Sequence, residues 1–112
     1  MSDPLADLQR WYVANCDGDW EHSYGVEIST LDNPGWSLEI NVEDTPLAGT
    51  PFEPLKIERS DTDWLTCWVG VPDLPNRGRV QAESFQAGCG PENLEEAINV
   101  FLGWARQAAA DH

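Results

Sequence analysis

Residues 29–42 read STLDNPGWSLEINV, and the fold is decided in that stretch. From Trp36 to Val42 the side chains alternate, with Trp36, Leu38, Ile40 and Val42 on one side and Ser37, Glu39 and Asn41 on the other. Such alternation marks an antiparallel strand with one face on a core and one toward water. Val26 to Leu31 alternates in the same manner. Between the two runs, Pro34 and Gly35 suit the central positions of a type II turn, where glycine tolerates positive φ. The stretch predicts a hairpin.

Working outward, Thr45 to Pro54 holds Pro46, Gly49, Pro51 and Pro54, the composition of an irregular crossing loop. Leu55 to Ser60 predicts a third strand, which turns through SDTD into a fourth at Trp64 to Val71. There Leu65, Cys67, Val69 and Val71 take one face and Trp64, Thr66 and Trp68 the other, which suggests a central or doubly covered strand. PDLPNRG is a second loop, and Arg79 to Ala87 a fifth strand. After it, Pro91 suits a first helical turn, and Glu92, Glu95 and Glu96 complement the positive end of a helix dipole. Leu94, Ala97, Ile98, Phe101, Leu102 and Ala105 then form one wide helical stripe. At the other end, Met1 to Cys16 predicts a short helix capped by Ser2 or Asp3, with Pro4 in its first turn. Leu5, Leu8 and Tyr12 share one face of it, and Gly18 marks its exit. The order α-β-β-β-β-β-α predicts an α+β fold: a single domain over residues 1–112, its antiparallel sheet of about five strands packed with N-terminal and C-terminal helices.

The chain has 112 residues, suited to one domain, and a formal net charge of -14. The charge is uneven. No Lys or Arg occurs from Trp11 to Leu55, where Asp17, Asp19, Glu21, Glu27, Asp32, Glu39, Glu43, Asp44 and Glu53 all fall. A field of this sign repels nucleic acid and anionic membranes and attracts basic partners; its plainer reading is solubility. The opening MSDPLADLQRW lacks the basic start and apolar stretch of a signal peptide. No apolar run approaches the roughly 20 residues of a membrane span. Three cysteines, Cys16, Cys67 and Cys89, cannot all pair within one chain, so free thiols in a reducing cytoplasm are expected.

CDGDWEH, residues 16–22, is the densest chemistry in the chain. Carboxylates with an imidazole suit several divalent ions. The spacing, however, is neither that of an EF-hand nor that of a zinc-binding helix. If the chain after Gly18 is extended, Asp19 and Glu21 face one way and His22 the other, so no metal and no cofactor is expected. Cys89, just ahead of the last helix, sits where backbone N–H groups lower a thiol's pKa, the setting of a sulfurtransferase-like nucleophile. Glu92, Glu95 and Glu96 oppose a thiolate there, and Cys67 reads as a small core residue. Neither a Ser-His-Asp signature, a P-loop nor a basic aromatic stripe is present. These features favour a binding protein over an enzyme.

CDGDWEHSYGVEISTLDNPGWSLEI, followed by DWLTC and a closing GPENLEEAINVFLGW, resembles the immunity protein 53 family of bacterial polymorphic toxin systems. The matching elements run from Leu8 to Trp104, while the CGP before the last helix and the PDLPNRGR loop fall outside the pattern. The resemblance implies a non-enzymatic antidote that sits in the cytoplasm and binds a cognate toxin domain, blocking its active site or access to it. Because a phosphate-binding cleft is basic, the acidic charge favours a nuclease-type toxin. Asp17, Asp19, Glu21 and Asp32, at a helix exit and a hairpin tip, are the expected contacts. Glu39 and Glu43 on the polar face of the second strand join them, with Trp20 and Trp36 as aromatic anchors whose alternative is sheet packing. The competing readings are a small thiol- or carboxylate-dependent enzyme and a generic acidic interaction module.

Overall fold

The structure, a computed structural model, describes residues 3–71 and 82–110. Ser2 as a helix cap, the 72–78 loop and the beginning of the fifth strand at Arg79 lie outside them.

Helix α1, Pro4–Asn15, begins where the Asp3 carboxylate accepts hydrogen bonds from the N–H groups of Leu5 at 3.1 Å and Ala6 at 3.3 Å. Pro4 follows in the first turn, where a missing N–H costs nothing. Of the expected apolar face only Leu8 is buried, and Leu5 and Tyr12 remain exposed. The chain after Gly18 is not extended. It forms a single helical turn, α2, at Trp20–Ser23.

Strands β1 (Val26–Leu31) and β2 (Gly35–Asn41) form the hairpin, in register from Val26 against Ile40 to Leu31 against Gly35. The turn differs from the type II reading. Asp32, Asn33 and Pro34 make the loop, Gly35 already pairs as the first residue of β2, and its φ is not positive. Gly35 is needed for space, since a Cβ there would collide with the Cys89 carbonyl.

Strands β3 (Leu55–Glu58), β4 (Trp64–Gly70) and β5 (Ser84–Cys89) complete one antiparallel sheet in the order β1-β2-β5-β4-β3. The last strand thus enters between two hairpins, pairing Ile40 with Phe85 on one side and Val69 with Phe85 on the other. Rows of side chains follow from the register on the core face: Ile28, Leu38, Ala87, Cys67 and Leu55 form one, and Thr30, Trp36, Cys89, Leu65 and Ile57 the next. On the polar face of β2, Ser37 is half-buried, while Glu39, flanked by β1 and β5, and Asn41 are buried. Asn41 accepts from Gly25 N–H at 2.9 Å and donates to Ser84 Oγ at 2.8 Å.

Helix α3, Leu94–Ala110, lays Ala97, Ile98, Phe101, Leu102 and Ala108 on this core. It starts later than expected, with Pro91 and Glu92 in a turn before it. Trp36 Nε1 donates to the Pro91 carbonyl at 3.0 Å. Phe101 meets Phe85 of β5 at 5.3 Å between ring centroids and Trp11 of α1 at 4.9 Å, both edge-on. The quadrupoles of aromatic pairs favour that geometry. At the helix start, Arg59 bonds Asp63 at 2.9 Å and Glu96 at 2.6 Å, and buried Asn93 donates to both carboxylates. This network ties the β3–β4 turn to α3.

Two glycines test the packing. Gly35→Ala should destabilise the domain by about 1–3 kcal/mol, the range for forcing atoms into a filled site. Gly103→Ala, on α3 where an added Cβ meets open space, should stabilise it by about 1 kcal/mol through helix propensity. Urea midpoints should therefore move in opposite directions.

Candidate functional site at the acidic pole

The turn from α1 to α2 organises itself through two carboxylates. Asp17 Oδ1 accepts from the N–H groups of Asp19 at 2.9 Å and Trp20 at 3.0 Å. Glu21 reaches back, accepting from Asp17 N–H at 2.9 Å and Gly18 N–H at 2.8 Å. This reciprocal arrangement is a variant of the capping box, in which side chains satisfy N–H groups that a helix start leaves open. Gly18 lies between them with φ of +98°, a region costly for other residues. Here the local hydrogen bonds override the extended reading, and one helical turn results.

Both carboxyls titrate below their usual range. For Asp17 the chief cause is the Trp20 N–H, then that of Asp19. For Glu21 it is hydrogen bonding to backbone, its own N–H first and then those of Asp17 and Gly18, with desolvation opposing. A carboxylate bonded to N–H groups keeps its negative charge, so the turn is both built and charged by the same groups.

Trp20 fastens this turn to the body of the protein. Its indole N–H donates to the Glu43 carbonyl at 2.9 Å, and its ring meets Trp11 at 5.9 Å. It is 4% exposed, so of its two readings, toxin contact and packing, its placement is that of packing. Glu43 lies past the end of β2, half-buried, and its Oε1 accepts from Glu83 N–H at 3.0 Å. It too braces the fold. Burial first, and then the Asp44 and Glu43 carboxylates, push the Tyr24 phenol above its ordinary pKa. Asp44, exposed and at φ 60°, therefore belongs beside the turn. It is not among the contacts expected from the sequence.

The expected contact residues do not gather in one place. Asp17, Asp19, Glu21 and Glu43 lie at the Val26 end of β1, while exposed Asp32 sits at the hairpin tip about 20 Å away, the length of a six-residue strand. Trp36 is on the same end as Asp32, half-buried, its N–H committed to Pro91. Glu39, expected on an open polar face, is 9% exposed, because β5 flanks β2 on its other side. What remains at the Val26 end is exposed Asp17, Asp19 and Asp44, with half-buried Glu21 turned onto the backbone of the turn.

Among the described residues, Arg10, Lys56, Arg59 and Arg106 each pair with a carboxylate elsewhere: Asp7, Glu58, Asp63 or Glu96. The pole holds none of them. No three His, Cys, Asp or Glu side chains among the described residues are grouped so as to hold a metal ion. Exposed His22 stands in α2. Cys89 is not in a helix-start loop but in β5, fully buried, where burial pushes its thiol up. Cys67 beside it is pushed up to about 12, first by burial and then by Cys89. Neither thiol has the exposed, electropositive setting of a nucleophile. Among the described residues no helix is long and apolar enough to cross a membrane.

A family model described as Immunity protein 53 matches residues 5–106. No curated protein and no solved structure matches the chain.

Two measurements probe this geometry. Because the Asp17 and Glu21 carboxyls are depressed in the folded state, their contribution is complete above the unfolded-state values near about 4 and fades as pH falls through the lower folded ones. Asp17→Ala and Glu21→Ala should each lower the urea midpoint at pH 7, and the difference from the parent should shrink as pH falls below about 4. Mass spectrometry after brief alkylation at pH 7.5 should find Cys16 modified, with Cys67 and Cys89 reacting only after denaturation.

Proposed function

Because the chain belongs to the immunity protein 53 family, we propose that it neutralises a cognate toxin domain by seating the acidic pole in that toxin's basic, nucleic-acid-binding cleft. The observation carrying this reading is the cluster of Asp17, Asp19, Glu21 and Asp44 in a stretch, Trp11 to Leu55, that holds no Lys or Arg. A nuclease cleft must be basic to hold phosphates, and a rigid group of carboxylates competes for the same cations. The antidote acts in the cytoplasm, where the substrate of such a toxin lies. It makes and breaks no bonds of its own. Burial of Cys67 and Cys89 supports that view.

Rigidity adds to charge. The carboxylates of Asp17 and Glu21 are fixed by backbone donors before any partner arrives, so little side-chain freedom is lost on binding. Long-range attraction then raises the association rate, which matters when a toxin must be caught before it turns over.

Co-expression with the C-terminal domain encoded by the adjoining gene tests the reading. Rescue of growth with a stable, co-purifying complex is expected, and loss of both would remove it. Asp17→Asn, Asp19→Asn and Asp44→Asn combined keep a side-chain acceptor at each position, and Asn tolerates the left-handed conformation at 44. The triple variant should associate about tenfold more slowly at low salt, with a flatter salt dependence in stopped-flow.

A further inference from the structure

We propose that the outer edge of β1, with the apolar groove beside it, is a strand-addition site that takes an extended segment of the toxin domain carrying alternate apolar side chains and at least one Lys or Arg. This rests on the antidote reading above and extends it from the acidic pole to a second, directional contact.

The sheet order leaves β1 and β3 as its two outer strands. They are built differently. β3 has four residues, follows Pro54, and sets Lys56 against Glu58 in an ion pair at 3.2 Å. Short length, proline and lysine are the usual means by which an edge is protected from pairing. β1 has six residues, VEISTL, with neither proline nor lysine and with Glu27 as its one charge. Asn41 N–H donates to the Gly25 carbonyl at 3.0 Å, so the Gly25 carbonyl faces β2. Antiparallel alternation then aims the N–H and C=O groups of Glu27 and Ser29 at β2, and those of Val26, Ile28 and Thr30 away from the sheet. No described residue pairs with them as a strand.

Next to that edge, α1 stands off from β1 and leaves a groove of about 320 Å³ lined chiefly by Leu5, Leu8, Tyr12, Tyr24, Val26 and Ile28. Leu5 is 56% exposed and Ile28 37%. Side chains of an added strand would alternate, and every second one would drop into this groove. Glu21 also lines it, at the end where Asp17 and Asp19 are clustered. The occupant therefore needs apolar groups at every second position and a cation toward the pole. A second copy of this chain fits poorly, because a net charge of -14 makes like surfaces repel.

Hydrogen exchange on the complex with the C-terminal domain of the adjoining gene's product gives the test. The amides of Val26, Ile28 and Thr30 should exchange at least tenfold more slowly in the complex than in the free chain. Ile28→Lys should weaken the complex at least tenfold in calorimetry while leaving the melting temperature close to the parent's. Val13→Lys, at an exposed position of α1 outside this groove, should bind as the parent does. If the parent binds and rescues growth but those three amides are unchanged and Ile28→Lys binds normally, the edge proposal falls and the antidote reading stands. If the parent neither binds nor rescues, both fall. Slow exchange at the three amides in the free chain, with a mass that doubles with concentration, would assign the edge to a second copy and overturn the proposal.

Discussion

The threading of β5 between two hairpins is the constraint on which the molecule depends. Phe85, Ala87 and Cys89 each have a partner in β2 and another in β4, and all three are buried. Without that strand the chain would hold two separate hairpins, each marginal in water by itself. With it, two apolar faces become one, and α3 has a continuous surface to cover. The close approach that follows has a steric consequence at Gly35, where the Cys89 carbonyl occupies the space a side chain would need. Phe85 and Phe101 then carry the contact onward to Trp11 and α1, and Trp11 to the α2 turn through Trp20.

The acidic pole stands at the far end of that chain of contacts. Its turn is held in place twice, by the carboxylates that accept backbone N–H groups and by the buried indole of Trp20. Charge placed on such a support is presented at a fixed position. An anion on a free loop would offer the same Coulomb attraction but would lose more freedom on binding. Two residues separate α2 from β1, so the charged turn and the unprotected strand edge form neighbouring parts of one surface.

The β1–β2 hairpin, the stripe of α3, a cap at Ser2 or Asp3 and the two faces of β4 were legible in the sequence, because each depends on neighbours a few positions away. The acidic character of residues 11–55 was legible for the same reason. The site itself was legible only in part. Asp17, Asp19 and Glu21 could be picked out as a cluster, but Asp44 could not, since it comes to Tyr24 only through the packing of separate segments. Glu39, a glutamate on the polar phase of a strand, resembles a surface group until the neighbouring strands are in place, and for Trp20 only the packed elements decide between contact and packing.

What the sequence by itself determined, then, is the two terminal helices and the five strands between them, their order and the sign of the surface they carry, but not the α2 turn. Those follow from local periodicity, turn chemistry and composition, each of which acts within about one turn or one strand of chain. Strand order, the reason for Gly35, the burial of Trp20, Glu39 and Cys89, and the bare edge of β1 were decided by the tertiary structure alone. Each depends on which distant segment lies alongside, and burial belongs to a pair of surfaces in contact, never to one residue read in its own stretch of chain.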